Sequence, residues 1–167
     1  MNIRPATPGD ASQIAHFNQM MAHETEDKTL EPVTLAKGVA AVLSSPNRGF
    51  YTVAEVDGAV VGCLMITYEW SDWRNGNIWW IQSVYVDAPH RKNGVYRAMY
   101  EHLYEQAASD DDIVGVRLYV DKSNTAAQAV YQKMGMQQAH YDIYEVDFVL
   151  GSPSSEPTPE PAKGAKR

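Results

Sequence analysis

The stretch Val84-Tyr85-Val86-Asp87-Ala88-Pro89-His90-Arg91-Lys92-Asn93-Gly94-Val95-Tyr96-Arg97 decides the fold. A strand ends in it, a proline turn follows, and a basic loop with one glycine opens a helix. Backbone N–H groups at a helix N-terminus lack intrahelical acceptors, and the helix dipole adds positive potential there. The segment therefore has the parts of an anion site. Gly94 would let the backbone approach a phosphate closely. Arg91, Lys92 and Arg97 add positive charge to a chain of formal net charge -7. The same residues also read as a plain helix start with solvated basic side chains.

Upstream of this loop, residues 50–56 and 60–70 alternate as strands across Asp57-Gly58, a strong two-residue hairpin signal. Asn75-Gly76 is a second turn, and residues 78–86 form a long third strand. The three make an antiparallel meander. Downstream, residues 91–108 read as a helix with Val95, Met99 and Leu103 on one face. Residues 114–120 are a β-branched strand, and residues 123–134 a second helix closed by Gly135. Residues 137–150 supply one or two final strands. The strand–helix–strand over residues 78–120 predicts a right-handed parallel crossover.

The first fifty residues read as a short strand at 3–6 and a helix start at Thr7-Pro8-Gly9-Asp10. Ile14, Phe17, Met20 and Met21 then recur at helical spacing to about residue 25. A second helix covers residues 33–43 and stops at Ser44-Ser45-Pro46-Asn47. The fold class is α/β (α+β). Residues 1–150 form one domain. Residues 151–167, with Pro153, Pro157, Pro159 and Pro161, are expected to be a disordered tail, because they offer no apolar surface to bury.

The totals set bounds. A chain of 167 residues builds one domain with a real core. Its 44% hydrophobic and 21% charged residues are ordinary globular composition. The acidic balance argues against a nucleic-acid partner and suits a cationic amine. The lone cysteine, Cys63, excludes an intrachain disulfide. Its neighbours Val60, Val61, Leu64 and Ile66 predict a packed, inert thiol. Met1-Asn2-Ile3-Arg4-Pro5 has no apolar signal region, and no apolar run reaches the roughly 20 residues of a membrane span. The expectation is a cytoplasmic protein with no membrane partner. His16, His23, His90, His102 and His140 show no metal-ligand spacing, so no metal is expected.

A second segment sharpens the functional reading. Leu118-Tyr119-Val120-Asp121-Lys122-Ser123-Asn124-Thr125-Ala126-Ala127-Gln128-Ala129-Val130-Tyr131-Gln132-Lys133-Met134-Gly135-Met136 is a strand, an asparagine at a helix start, and a helix carrying a tyrosine before Met-Gly-Met. The two segments, in this order, resemble the GNAT superfamily of acyl-CoA N-acyltransferases, and the resemblance covers residues 1–150. It implies a three-layer fold: a mixed central sheet of six or seven strands with a parallel, splayed central pair, flanked by about four helices. It also implies acetyl-CoA as co-substrate. In that family the strand matching residues 78–86 pairs with the pantetheine arm, here through Val84, Tyr85 and Val86. The loop matching Arg91, Lys92, Asn93, Gly94, Val95, Tyr96 and Arg97 holds the pyrophosphate. An amide near Val84 polarises the thioester carbonyl. The same resemblance implies that Asn124 contacts the cofactor and that Tyr131 protonates the departing thiolate.

Two positions depart from the family pattern. Tyr96 stands where glycine or alanine is usual, so its ring must point away from the pyrophosphate or stack over it. Gln82 stands where a glutamate base is common, and an amide cannot take a proton. The base must lie elsewhere, or ordered water must serve.

The acceptor is sought in Tyr68-Glu69-Trp70-Ser71-Asp72-Trp73-Arg74-Asn75-Gly76-Asn77-Ile78-Trp79-Trp80, which holds all four tryptophans. Aromatic walls beside a carboxylate suit a cationic amine. Glu69 and Asp72 are the catalytic candidates here, and Trp70, Trp73 and Gln82 the acceptor contacts. The same hairpin also reads as aromatic packing on the early helices or a second subunit. Glu24 and Glu26 end the first helix, a region that often lines the acceptor cleft in the family; taken singly, each reads first as part of a solvated helix end. Tyr96, Tyr100 and Tyr104 repeat along one helix as packing residues, and a homodimer is compatible with them.

The function expected is N-acetyl transfer from acetyl-CoA to a primary amine, small molecule or peptide. Direct attack in a ternary complex follows from the absence of an activated cysteine. One alternative is an acyl-CoA-binding module without catalysis, which Gln82 favours. Another is an unrelated α/β domain whose basic loop binds another phosphate ligand, such as a nucleotide, which Asn124 and Tyr131 disfavour.

Overall fold

Two turns frame the sheet. Asp57 and Gly58 both take positive φ, 51° and 81°, the pair of left-handed residues a tight hairpin demands. They join β2 (Phe50–Val56) to β3 (Ala59–Ser71). The second turn ends at Asn75, φ 50°, and delivers the chain to β4 (Gly76–Val86). Gly76 is required by space. A Cβ there would lie 2.4 Å from Val114 Cγ1 and 3.0 Å from the Asp112 carbonyl.

The computed structural model describes residues 1–148. It divides into two units, Met1–Tyr119 and Val120–Arg167. The first unit holds a five-stranded sheet in the order β1-β2-β3-β4-β5. β1 (Asn2–Pro5) pairs antiparallel with β2, and the meander continues antiparallel to β4. β5 (Ile113–Arg117) pairs parallel with β4, which the crossover through α3 (Val95–Ala108) makes possible. Among the described residues the count is five strands rather than six or seven. Among the described residues 137–148 no strand forms. Ile143, Tyr144, Val146 and Phe148 carry alternating apolar character but stand mostly exposed. Alternation makes a strand only where a neighbour completes the ladder. The tail assigned to residues 151–167, and the last strand position Leu150, lie outside the described residues.

Helices cover both faces of the sheet in the first unit. α1 (Ala11–Glu26) and α2 (Pro32–Ser44) pack Ile14, Phe17 and Val39 against Tyr51, Val53, Cys63 and Tyr85. On the opposite face Gly62 lies under Val95 and Met99 of α3. Leu64, Ile66, Met99 and Leu103 are fully buried. Each such side chain contributes on the order of 1.5–3 kcal/mol of transfer energy. Arg4 of β1 ties the edge together. Its Nη1 and Nη2 reach Asp10 at 2.8 and 2.9 Å, and its Nε reaches Glu55 at 3.0 Å. The second unit contributes α4 (Thr125–Lys133).

Candidate active site

β4 loses its parallel partner halfway along. The β4–β5 register runs Asn77↔Ile113, Ile78↔Gly115, Trp79↔Val116 and Trp80↔Arg117, and β5 ends there. Residues 81–86 of β4 continue without a ladder partner on that edge among the described residues. The other edge is bulged at the same place. Cys63 pairs with Tyr85 and Met65 with Gln82, so Ser83 and Val84 oppose the single residue Leu64. Ser83 takes φ 49°. A bulge of this kind bends the strand and re-aims its backbone groups.

The loop after β4 is a cradle. A 3-10 turn over Ala88–His90 leads to Lys92 at φ 65° and Gly94 at φ 78°, and Gly94 caps α3. No described residue accepts a hydrogen bond from the amides of Lys92, Asn93 or Gly94. A Cβ on Gly94 would meet nothing within 4 Å. Open space in front of unpaired amides at a helix start is what a phosphate needs. Left-handed φ at Lys92 and Gly94 is also why α3 begins at Val95, four residues after the Arg91 expected from sequence.

The cations of the loop differ in disposition. Arg91 turns back: its Nε donates to the Val86 carbonyl at 2.8 Å and its Nη2 to Glu24 at 2.7 Å. Its guanidinium also lies 5.1 Å from the Tyr85 ring centre. Arg97 pairs with Glu101 on its own helix at 2.7 Å. Lys92 pairs with no described carboxylate. The Tyr96 ring neighbours Tyr100 at 6.4 Å, so the bulky residue has an aromatic partner within the helix.

Glu24 is a strut between α1 and the loop. The Tyr85 hydroxyl donates to its Oε1 at 2.8 Å while Arg91 holds Oε2. The Tyr85 bond foremost, with Arg91, holds the Glu24 carboxyl below the usual range. Burial, reinforced by the carboxylate, pushes the Tyr85 phenol up. Glu26 pairs with Lys28 at 2.7 Å on the exposed helix end. Cys63 is fully buried, and burial pushes its thiol up to about 12, so it is no nucleophile.

The hairpin residues separate by face and by distance. Strand alternation puts Glu69, Thr67, Trp80 and Gln82 on the α1–α2 face, and Trp70 on the other. Trp70 and Trp73 are 59% and 89% exposed, so neither packs on the early helices. Asp72 and Trp73 sit in the turn beyond Ser71, which pairs with Gly76. From Gly76 to Val84 is eight residues, roughly 26 Å at about 3.3 Å each. The structure therefore does not bring Asp72, Trp70 or Trp73 to the β4 bulge. Gln82 is closer, donating from Nε2 to the Thr67 hydroxyl at 2.5 Å.

Glu69 has partners the sequence did not disclose. Its Oε1 accepts from Arg117 Nη1 at 2.9 Å, and its Oε2 accepts from the Trp80 indole N–H. Arg117 and Tyr119 lie past the crossover, and only the β4–β5 register sets them beside Trp80. In the second unit, Asn124 caps α4: its Oδ1 accepts from the Ala127 amide at 3.0 Å. Tyr131 lies on α4 within that unit.

Among the described residues no group of three His, Cys, Asp or Glu side chains could hold a metal ion. No helix there is long and apolar enough to cross a membrane.

Comparison with known proteins agrees with this geometry. The model of the Acetyltransferase (GNAT) family matches residues 15–136. A solved structure of a possible acetyltransferase from Clostridium difficile 630 is 44% identical, with a TM-score of 0.83, covering 89% of this chain and 97% of that one. A ribosomal-protein-alanine N-acetyltransferase from Brucella melitensis biovar Abortus 2308 is 17% identical, TM-score 0.71, over 88% of this chain and 98% of that one. AAC(6')-Iy in complex with the bisubstrate analog CoA-S-monomethyl-acetylneamine is 13% identical, TM-score 0.72, over 87% and 97%. At such identities the last two share the fold. No curated protein matches. The match over most of the chain, and a relative at this identity, show that the chain belongs to the GNAT family of acetyltransferases.

Proposed function

We propose that the chain transfers an acetyl group from acetyl-CoA to a primary amine by direct attack within a ternary complex. The observation that carries this is the edge of β4 over residues 81–86, which has no ladder partner among the described residues, beside the open amide cradle at Gly94. Acetyl-CoA supplies an activated thioester carbonyl. The backbone of Val84, Tyr85 and Val86 pairs with the pantetheine amides. The amides of Lys92, Asn93 and Gly94, with those opening α3 at Val95, Tyr96 and Arg97, bind the pyrophosphate, and Lys92 adds its charge. Arg91 acts through Glu24 to hold the loop in place. Asn124 caps the helix that carries Tyr131 through its Oδ1, and its side-chain N–H group is the cofactor contact. The Tyr131 hydroxyl donates a hydrogen bond to the departing thiolate.

Direct attack is favoured because the single cysteine is buried with its thiol pushed up to about 12. Among the carboxylates, Glu24 is held ionised by two donors, Glu26 pairs with Lys28, and Asp72 stands at the hairpin tip. Glu69 is held by Arg117 and Trp80 and serves acceptor binding. The proton of the amine leaves through water beside Gln82 and Thr67. The competing reading, an acyl-CoA-binding module without turnover, rests on Gln82.

Thiol release from acetyl-CoA, followed across amines, amino acids and peptides, separates the two. Release with at least one amine supports transfer. A melting shift with acetyl-CoA but no release with any amine leaves only the binding module. No shift with any acyl-CoA removes both.

A further inference from the structure

The face of the sheet that carries α1 and α2 changes character along its length. It is apolar at Tyr51, Val53, Cys63, Met65 and Tyr85, where the helices pack. Beyond them it turns polar and aromatic. Thr67, Trp80 and Arg117 form one row across β3, β4 and β5 by register. Glu69 reaches into the row and pairs with Arg117 at 2.9 Å. The Arg117 guanidinium lies 5.9 Å from the Trp80 ring centre, and the Tyr119 ring 6.0 Å from it.

This pair is a poor stabiliser. The two side chains keep 39% and 40% of their exposure, and an ion pair so open gains little once its ordering entropy is counted. It is better organised as a receptor. Glu69 uses one lone pair on each oxygen internally and keeps the others. Arg117 donates only from Nη1, so Nε and Nη2 have no acceptor among the described residues. A guanidinium held beside an indole with Nε and Nη2 left over presents a fork that matches a carboxylate.

We infer that the Trp80 ledge binds the head of an α-amino acid, with Arg117 taking its carboxylate and Glu69 its α-ammonium, and that the amine acetylated lies at the end of the side chain. The acceptor is thus a free diamino acid. This rests on the transfer reading above. Spacing decides which nitrogen reacts. Trp80 precedes Val84 by four residues, roughly 13 Å of strand at about 3.3 Å each. An α-amine seated on the ledge does not reach a thioester beside Val84. A four-carbon side chain extends about 6 Å at bonds of about 1.5 Å, and the reach of the head group and the β4 bulge cover the rest. Charge decides the class. A diamine without the carboxylate would set a cation against Arg117 with no partner for its fork.

Matched pairs test this directly: lysine against cadaverine and ornithine against putrescine, which differ only in the carboxylate. With wild-type protein and acetyl-CoA, at least one diamino acid should exceed its diamine in kcat/KM by ten-fold or more. The difference should lie in KM, and mass spectrometry should place the acetyl group on the side-chain nitrogen. Arg117→Gln should bring the two members of that pair together. Arg117→Lys should restore only part of the gap, since an ammonium lacks the fork. An acetyl-CoA melting shift retained in both variants would show that they fold and bind. Equal kcat/KM within both pairs, or an equal loss for both members in Arg117→Gln, overturns the inference. So does thiol release with other amines but none of these four. No release with any amine removes the transfer reading and this inference with it.

Discussion

Tyr85 links the two halves of the proposed cofactor site through a single hydroxyl. Its backbone belongs to the open stretch of β4, while its phenol donates to Glu24, which in turn holds Arg91. Glu24→Gln should weaken CoA binding several-fold by calorimetry and change stability by about 0–1 kcal/mol, because the ion pair is half exposed. The Glu24 carboxyl is held below its usual range. Its contribution is therefore present above the unfolded value near 4.3 and fades as pH falls through the lower folded value. CoA affinity across pH 5.5–8 should carry no Glu24 signature. Tyr131→Phe keeps shape and removes one hydroxyl. If chemistry limits the rate, kcat should fall about 10²- to 10⁴-fold while the acetyl-CoA Kd holds. Full activity in that variant would end the acid role.

Elements obey the turn residues more closely than the apolar pattern. Asp57-Gly58 and Asn75-Gly76 located the meander, and β2 spans residues 50–56 as alternation predicts, because turn and period agree there. α3 starts four residues later than its periodicity predicts, because left-handed φ at Lys92 and Gly94 is invisible to periodicity. Side-chain partners across the sheet were beyond the pattern altogether. Glu69 and Arg117 are 48 residues apart and Glu24 and Arg91 are 67 apart. Such pairs depend on the register of β4 with β5 and on where α1 lies, neither of which a local period encodes. The shape of the loop proposed for the cofactor is legible because it is local: a strand end, a glycine and a helix start. Gly76→Ala tests the register. Its methyl would strike Val114 where β4 begins, so stability should fall by about 1–3 kcal/mol. Denaturant melts without any loss would show that β5 yields freely.

At the scale of the whole molecule, acid sensitivity should arise at the sheet edge, in the pairing of Arg4 with Asp10. Arg4 binds both oxygens of the buried Asp10, and that bond, above all, holds the Asp10 carboxyl well below the usual range. The depressed value means the stabilisation is complete above about 3.9 and is lost as pH falls below it. Asp10→Asn should lower stability at pH 7 by about 1–3 kcal/mol and flatten the melting curve between pH 4 and 2. Removal of residues 151–167, proposed on composition to lie outside the domain, should leave the melting temperature unchanged. The central claim is that the loop at Gly94 holds the pyrophosphate of CoA with its backbone. Gly94→Asn is the direct probe, since asparagine tolerates the left-handed conformation while its side chain fills the open space. Titration calorimetry with CoA on wild type and variant is the measurement, with melting temperature as the control. The predicted result is a Kd raised by ten-fold or more, about 1.4 kcal/mol, at a nearly unchanged melting temperature. An unchanged Kd in a folded Gly94→Asn protein would contradict the account.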